Sequence, residues 1–536
     1  MKEIEILDCT LRDGGRIIDC QFKDDVIIGI GKSLKKAKID IVELGFLRNH
    51  IQYQGNSTFF GDVAQADAYI RQIGGKAQRY VLFVDYGLYD IGYLAERGNS
   101  NISGIRYGFT KKNYQEHRED IIYDMRMIKK KGYDLYLQTV FTNGYTTAEL
   151  LELIELANEI HPLSFGVVDT YGSMYLDDLE YLWNIVNRNL KQEIAIDFHS
   201  HNNMQMSFAM TQRIIQLSNK NRHLIIDATM NGMGKCAGNL NTELIVDYLV
   251  RKLDYDYDVD AILDGIDRYI EPFKKENAWG YSIPAFMAGI YKAHPNNVIY
   301  LTSKYRLNNR DIKYILSGIN QEKRQRYDYD LIQKLYLEYS STKVDDSEIL
   351  SKLHKEFEGR TILMMASGKT VETYSKQIRK FIDQKNPIII CINFEPVDIN
   401  ADYVFFTNTI RWEEYPNKKR RSNCIVSSNI HTDTEGTMLV NYSSLIEEGS
   451  ILPDNSAIML LNLLNQIGVG EIAIAGFDGL DERGGNYICG TSPNQTIDIS
   501  YSEVNKTIRG LLQSYKKRVS DNVKLYTITP SKYWES

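Results

Sequence analysis

The chain has 536 residues, 43% of them hydrophobic and 25% charged, which predicts at least two folded domains because one core rarely serves more than about 300 residues. A formal net charge of −7 without a polybasic segment argues against nucleic acid as a main partner. Six cysteines, none in a C-x-x-C pair, and the lack of a signal peptide or of an apolar run of about 18 residues predict a cytoplasmic protein that does not enter a membrane.

The first half of the chain repeats one unit, in which a short apolar strand is followed by a polar turn and a helical stretch. The predicted strands lie at residues 4–11, 39–46, 80–84, 104–109, 135–140, 165–169, 194–199 and 224–229. Eight strands alternating with helices over about 240 residues are typical of a (β/α)8 barrel, whose parallel strands are buried on both sides. The sequence therefore predicts an α/β protein with an N-terminal TIM barrel at residues 1–254.

Polar side chains end nearly every predicted strand of the barrel. In this fold the active site is built at the carboxyl ends of the strands, so polar groups at these ends are candidates for chemistry, whereas any one of them alone is more typical of a cap or turn. The residues concerned are Arg12, Asp13, Glu43, Asp85, Arg106, Gln138, Asp169, His199, His201 and Asn231. The set as a whole indicates an active site at one face of the barrel.

The segment IAIDFHSHNN, residues 194–203, ends the seventh predicted strand. Side chains alternate along a strand, so His199 and His201 face the same side and lie close enough to bind one ion. Asp13 follows the first strand, which neighbours the last strands in a closed barrel. Two imidazoles and one carboxylate leave coordination positions open, as in a catalytic metal site. This donor set suits manganese, magnesium, zinc or cobalt, and the sequence does not choose among them.

Three motifs carry a resemblance to a known family. They are DCTLRDGG at residues 8–15, FHSHNN at 198–203 and GMGKCAGNLNTE at 232–243. In this order on a barrel they resemble the metal-dependent lyase and aldolase superfamily, which includes hydroxymethylglutaryl-CoA lyase, isopropylmalate synthase and 4-hydroxy-2-oxovalerate aldolase. The resemblance covers residues 3–300 and is nearest the 4-hydroxy-2-oxovalerate aldolase branch.

The resemblance implies roles for individual residues and a divalent metal cofactor. Asp13, His199 and His201 match the metal ligands, and Asn239 matches a position that binds metal in the lyase branch. Arg12 matches the cation that holds the enolate oxygen. Manganese is the first expectation for the ion, with magnesium, cobalt or zinc as alternatives.

The expected catalytic base is the point at which the sequence departs from the family. The aldolase branch has a histidine four residues after its arginine, where this chain has Arg16, and an arginine is no ordinary base at neutral pH. A hydroxide on the metal, Tyr291 or a loop carboxylate are the alternatives. Tyr291 resembles a tyrosine near the substrate in that branch. Arg16 is instead suited to an anionic group of the electrophile, such as a carboxylate or a phosphate.

The predicted activity is an aldolase or lyase that makes or breaks a carbon–carbon bond through the enolate of a 2-oxo acid such as pyruvate. A divalent ion lowers the free energy of that enolate, and Arg12 adds charge-assisted hydrogen bonds to its oxygen. An acyl-CoA-type lyase or condensing synthase of the same superfamily is the alternative enzyme, although DGGR at 13–16 argues against a condensing enzyme. A non-catalytic scaffold that binds metal and ligand is the third reading. A homo-oligomer is left open.

The remainder of the chain changes in character twice. Residues 255–357 show helical periodicity and predict a helical appendage and connector. Residues 358–536 alternate strands and helices again and predict a Rossmann-like domain. Its first turn, ASGKT at 366–370, lacks the spacing of a dinucleotide or Walker site. The pattern, with AGFDG at 475–479, resembles domains of surface-glycan transferases and pterin pyrophosphokinases, so an interaction module and a nucleotide-sugar or phosphate binder are both open.

Overall fold

The structure is a computed structural model that describes residues 3–49, 51, 53–74, 78–218, 222–304, 307, 309–324, 326–341, 343–415, 423–432, 434–447, 449–481, 487, 500–519 and 522–534. The chain forms two compact units, Met1–Pro295 and Asn296–Ser536. Among the helices of the described ranges, none is both long and apolar enough to cross a membrane.

The first unit contains a closed barrel of eight parallel strands. Each strand pairs with the next, and β1 pairs with both β8 and β2, which closes the ring. The strands are β1 Ile4–Asp8, β2 Ile41–Leu47, β3 Arg79–Asp85, β4 Ile102–Thr110, β5 Asp134–Val140, β6 Ser164–Asp169, β7 Ala195–Ser200 and β8 Leu224–Ala228. A two-residue strand, Phe59–Phe60, adds to β2 outside the ring. The predicted TIM barrel is confirmed.

Amphipathic helices cover the outside of the barrel. In the first of them Ile27, Ile30 and Leu34 are buried at spacings of three and four residues, the pattern of one apolar helix face. The α-helices of the first unit, including α11 at one end of the barrel, are α1 Asp24–Lys36, α2 Val63–Ile73, α3 Lys111–Glu116, α4 Arg118–Lys130, α5 Thr147–Ile160, α6 Leu176–Asn189, α7 Ser207–Ser218, α8 Thr242–Leu253, α9 Val259–Gly265, α10 Glu271–Glu276 and α11 Ile283–Ile290.

Helix α11 packs against the carboxyl-end loops of the barrel. A Cβ placed on Gly289 would lie 3.2 Å from the carbonyl oxygen of Gly172 and 3.1 Å from Cγ of Met204, on the loops after β6 and β7. The segment before the helix is tied to the loop after β8, because the Gly280 amide donates to the Cys236 carbonyl at 3.0 Å. The segment 280–294 is therefore held at the end of the barrel where the candidate site lies.

A β-bulge in β2 changes which side chains face the inside of the barrel. The pairing of β2 with β3 shifts between Glu43 and Gly45. Before the shift the odd-numbered Glu43 points into the barrel, whereas after it Phe46 packs with Phe83 of β3 in an inner cluster. Strict alternation from Glu43 would place Phe46 and Arg48 outside, so the bulge brings both to the interior.

The second unit is an open sheet of seven parallel strands. The strands are β9 Thr361–Met365, β10 Ile388–Ile392, β11 Tyr403–Phe406, β12 Cys424–Ser427, β13 Met438–Val440, β14 Glu471–Ala475 and β15 Lys524–Thr527. Their order is β13-β12-β11-β10-β9-β14-β15, and separate apolar clusters cover its two faces. The predicted second α/β domain is thus confirmed.

The helices from α12 onward include those of the predicted connector. They are α12 Pro295–Lys304, α13 Asn309–Ser317, α14 Gln321–Arg324, α15 Tyr329–Ser340, α16 Ser347–Phe357, α17 Thr370–Thr373, α18 Ser375–Lys385, α19 Thr409–Glu414, α20 Ser456–Gln466 and α21 Tyr501–Val519. The described residues between 255 and 357 contain no strand. The predicted domain boundaries at residues 254 and 357 stay predictions.

Candidate functional site

The three predicted metal ligands lie together at the carboxyl end of the barrel. Nε2 of His201 is 3.6 Å and Nε2 of His199 is 3.9 Å from Oδ2 of Asp13, and the two imidazole centroids are 5.1 Å apart. One donor atom from each of the three residues lies within 4.8 Å of the others. The nearly extended end of β7 projects both histidines to the same side, toward the loop that follows β1.

Asn239, on the loop after β8, completes this group. Its Nδ2 donates to Oδ2 of Asp13 and to the carbonyl oxygen of Met233, both at 3.0 Å. Its Oδ1 is buried and has no hydrogen-bond partner among the described residues. A buried amide oxygen without a partner costs free energy, and a cation at this position would satisfy it.

The protonation states also suit a divalent cation. Burial lowers the pKa of both His199 and His201 to about 4, so both rings are neutral at pH 7 and have a lone pair for a metal. Burial acts to raise the pKa of Asp13, but Arg12 and the two histidines together hold it well below its usual range. Two neutral imidazoles, one carboxylate and one amide oxygen fit a divalent ion with mixed nitrogen and oxygen ligation.

Arg12 is fixed beside these ligands by two carboxylates. Its Nε donates to Oε2 of Glu43 and its Nη1 donates to Oδ1 of Asp13, both at 2.6 Å. The guanidinium also lies 4.4 Å from the ring centroid of Phe83. Arg12 is only 4% exposed, so burial and charge pairing hold a permanent cation at the candidate site.

A buried ionic layer lies within the barrel and connects Arg12 to His199. Arg106, fully buried, donates to Glu43 at 3.1 Å, to Asp197 at 3.0 Å and to Asp227 at 2.5 Å. Nδ1 of His199 is 2.8 Å from the same oxygen of Asp227. This bond occupies Nδ1 of the ring and leaves Nε2 facing Asp13, which is how ligand histidines are oriented in metal sites.

The ionic layer holds more carboxyl groups than its cations balance. Burial raises the pKa of Asp197 to about 7 and that of Asp227 to about 6, although Arg106 acts to lower both. Gln138 donates to Asp197 at 2.7 Å. Interior layers of such barrels are commonly filled by branched apolar side chains, so a charged layer next to the predicted ligands is a local specialisation of this chain.

Arg16 lies at the same end of the barrel, next to a residue that the sequence analysis did not identify. Its Nε is 3.4 Å from Oδ1 of Asp13 and its Nη2 is 3.5 Å from Oδ2 of Asp85. Arg48 donates to that Asp85 oxygen at 2.6 Å. Alternation along β2 predicts that Arg48 points away from the barrel interior, so the sequence analysis did not select it. Gly45 at the bulge was the signal in the sequence that could have indicated the shift.

Tyr291 follows α11, and His294 lies three residues further along the chain. Burial, together with the charges of Lys235 and Arg16, lowers the pKa of His294 to about 4, so this imidazole is neutral at pH 7. His294 belongs to the segment from which Tyr291 was chosen, yet the sequence analysis did not select it. The predicted role of Tyr291 near the substrate stays a prediction.

Several other polar strand ends serve local structure. Asp169 accepts the backbone amides of Ser173 and Met174 at 2.9 and 3.1 Å, and Asn231 donates to Glu271 at 2.9 Å. A second group of potential ligands, Cys9 with His199 and Asp227, is also buried. Burial raises the pKa of Cys9 well above its usual range, which keeps its thiol protonated.

Part of the chain is similar in sequence to known proteins. The HMGL-like family model matches residues 105–267. A 4-hydroxy-2-oxovalerate aldolase of Carboxydothermus hydrogenoformans is 23% identical over 327 residues, 58% of this chain and 90% of that protein. An oxaloacetate decarboxylase of Mycobacterium tuberculosis is 24% identical over 253 residues, 47% of this chain and 71% of that protein.

Among solved structures, the carboxyl transferase domain of Rhizobium etli pyruvate carboxylase with 3-bromopyruvate has a TM-score of 0.50. It is 12% identical in sequence, and the match covers 66% of this chain and 65% of that chain. At this identity the likeness shows the barrel fold alone. The family match and the relatives named aldolases confirm the predicted resemblance of the barrel to the HMGL-like superfamily.

Proposed function

We propose that the barrel is a divalent-metal-dependent aldolase or lyase that makes or breaks a carbon–carbon bond through the enolate of a 2-oxo acid. The observation that carries the proposal is the convergence of Asp13, His199, His201 and the partnerless Asn239 oxygen beside the fixed guanidinium of Arg12. A divalent cation held by these residues supplies Lewis acidity, which lowers the free energy of an enolate at the carbon next to the carbonyl. Mn²⁺ is the proposed ion, and pyruvate is the proposed simplest substrate.

Arg12 is the proposed donor to the enolate oxygen. Two of its N–H groups are held by Glu43 and Asp13, which fixes the direction in which the others point. Because the guanidinium is buried and cannot deprotonate, it presents positive charge at the same place throughout the reaction. Such prearranged donors act on the charge that develops in the transition state and need little reorganisation.

Glu43, Arg106 and Asp227 are the proposed positioning residues. They form one hydrogen-bonded chain from Arg12 to the Nδ1 side of His199. This chain couples the orientation of the predicted oxyanion donor to that of one predicted metal ligand. It acts through those residues and not on the substrate itself.

The reaction also needs a base for the hydroxyl proton of the aldol. In the cleavage direction the C3–C4 bond of the aldol, a 4-hydroxy-2-oxo acid, breaks and its electron pair enters the enolate. The hydroxyl proton goes to the base, and an aldehyde leaves. Tyr291 and His294 are the proposed candidates, because both lie on the segment held against the carboxyl-end loops. His294 is neutral at pH 7, but its pKa of about 4 makes it a weak base as it stands.

The decisive experiment follows the exchange of pyruvate methyl protons in deuterated water by Mn²⁺-loaded protein. This half-reaction forms the enolate and needs no electrophile. Arg12→Ala is expected to slow exchange by about 10²–10³, the usual effect of losing one oxyanion donor. Arg126→Ala is the control for lost charge, because Arg126 is exposed and pairs only with Glu159 among the described residues.

Metal content is measured on every variant, so that a failure of catalysis is separated from a failure of metal binding. Asp13→Asn is expected to lose both the ion and the exchange. Absence of exchange by metal-loaded wild type with both pyruvate and 2-oxobutyrate would contradict the proposal and favour an acyl-thioester substrate or a non-catalytic scaffold. A cytoplasmic location is a further prediction, and the oligomeric state, which the sequence leaves open, is to be measured separately.

A further inference from the structure

Two arginines at the carboxyl end of the barrel share a single carboxylate. Nη2 of Arg48 lies 2.6 Å and Nη2 of Arg16 lies 3.5 Å from Oδ2 of Asp85. The other carboxylate near Arg16 is Asp13, whose Oδ1 is already bonded to Arg12 at 2.6 Å and whose Oδ2 faces the histidines. Arg16, Arg48 and Asp85 together therefore carry one surplus positive charge.

The two guanidinium groups are held on an aromatic surface. Arg16 lies 4.6 Å and Arg48 lies 4.5 Å from the ring centroid of Phe46, which is fully buried. The side chain of Arg16 is 39% exposed, and those of Arg48 and Asp85 are 13% and 26% exposed. Stacking fixes the arginines without neutralising them, and the group stays open to a ligand from solvent.

The bulge in β2 is what brings Arg48 into this position. Without the register shift between Glu43 and Gly45, alternation along the strand would point Arg48 away from the barrel interior. A Cβ on Gly45 would lie 2.1 Å from the carbonyl oxygen of Thr58, so the bulge depends on glycine at this residue. The local backbone thus places a second cation next to Arg16.

We propose that Arg16 and Arg48 form a subsite for a second carboxylate on the substrate, at the end remote from the 2-oxo acid group. The proposal rests on the proposed function and narrows its substrate to a 2-oxo acid that carries a distal carboxylate. The aldehyde that is the electrophile in bond formation then carries this carboxylate. One surplus positive charge matches a carboxylate better than a doubly charged phosphate. Because Arg16 also lies 3.4 Å from Asp13, a short molecule is long enough to reach from the predicted metal ligands to the arginine pair.

The test compares two ligands of equal length that differ only in the terminal group, 2-oxopentanedioate and 2-oxopentanoate, neither of which has the 4-hydroxyl group that cleavage needs. Their dissociation constants are measured by titration calorimetry on the Mn²⁺-loaded full chain. We expect the diacid to bind about tenfold to a hundredfold more tightly, as one charge-assisted hydrogen-bonded pair provides. Arg48→Ala is expected to remove most of this ratio, whereas the control Arg126→Ala keeps it.

Asp85→Asn gives a result of opposite sign and keeps the test decisive if the arginine variant folds poorly. Removing the competing carboxylate raises the surplus positive charge, so the preference for the diacid is expected to increase. Equal affinity of the wild type for the two acids, binding of neither acid, or a ratio unchanged in Arg48→Ala would overturn the subsite. Selective binding of the diacid without pyruvate proton exchange would support the subsite and contradict the proposed catalysis, so the two failures are distinguishable.

Discussion

The barrel and the second sheet both consist of parallel strands with polar residues at their carboxyl ends, but these two edges differ in charge and in hydrogen bonding. At the barrel edge the polar residues are mostly charged and buried, and Oδ1 of Asn239 and Oε1 of Glu43 have no partner among the described residues. At the second edge they are mostly neutral. None of the buried side-chain oxygens and nitrogens described there lacks a partner.

At the second edge short polar side chains bond to one another and to the backbone. Nδ2 of Asn393 donates to Oγ of Ser456 at 3.0 Å, and the Thr407 hydroxyl lies 2.5 Å from the same Ser456 oxygen. Nδ2 of Asn429 donates to the carbonyl oxygen of Thr407 at 3.1 Å. Asp478 accepts the backbone amide of Thr370, the last residue of ASGKT, at 2.8 Å. These groups satisfy one another, as polar groups do where they hold loops in place.

The difference shows why polar strand ends alone do not identify a reactive site. Both edges have them, and in parallel α/β sheets ligands commonly bind at this edge. Among the described residues, only the barrel edge combines buried charge, lowered histidine pKa values and ligand atoms without a hydrogen-bond partner. Such unsatisfied groups cost stability unless a ligand compensates them. The barrel edge is therefore the stronger candidate for chemistry.

The largest effect is expected from removal of a predicted metal ligand. His201→Ala takes away one of the four proposed protein ligands, so the affinity for Mn²⁺ should fall by at least about 10², measured by metal analysis after dialysis and by calorimetry. Ser456→Ala at the second edge is the matched change and should leave metal content unaltered. Equal metal content in the two variants would contradict the placement of the metal site at the barrel edge.

A large loss of stability is expected from Arg106→Met. The substitution leaves Glu43, Asp197 and Asp227 buried without their common cation, and breaking a buried ionic group in this way costs about 3–5 kcal/mol. The free energy of unfolding is measured by chemical denaturation. Arg213→Ala, which breaks a half-exposed pair with Glu180, should cost less than about 1 kcal/mol. Similar losses of unfolding free energy in the two variants would show that the ionic layer stabilises the fold no more than a half-exposed ion pair does.

An intermediate effect is expected at Asn239. Asn239→Ala removes the buried Oδ1 and should weaken Mn²⁺ binding by roughly tenfold to a hundredfold. Asn239→Asp loses the two Nδ2 hydrogen bonds to Asp13 and Met233 but keeps an oxygen and adds a negative charge, so it should lose less affinity for Mn²⁺ than Asn239→Ala. An equal loss in the two variants, measured by calorimetric titration of Mn²⁺, would show that Asn239 supports the loop and does not bind the ion.

The smallest effect is expected from the second edge. Asn393→Ala removes two hydrogen bonds, the one that Nδ2 donates to Ser456 and the one that Oδ1 accepts from the Thr407 amide, and should lower the free energy of unfolding by about 1–2 kcal/mol. Pyruvate proton exchange and metal content should match those of the wild type. A change in either quantity would indicate that the second edge takes part in the chemistry of the barrel.

Much of the fold and the central ligand group could be predicted from the sequence. The eight barrel strands followed from repeated apolar runs, and all eight are present. Asp13, His199 and His201 were selected from a strand end and an alternation of two residues, and the structure places them together. Both inferences depend on local periodicity, which the amino-acid order itself contains.

The features that the sequence analysis did not predict are contacts between strands that are distant in the sequence. Arg106 was noted as a polar strand end, but its bonds to Glu43, Asp197 and Asp227 join four strands. Arg48 reaches the interior only because a bulge shifts the register of β2. At the second edge the polar residues satisfy one another through bonds between separate loops. Periodicity determines which face a residue occupies along an unbroken strand, whereas register shifts and the closing of hydrogen bonds between strands are decided only when the sheet assembles.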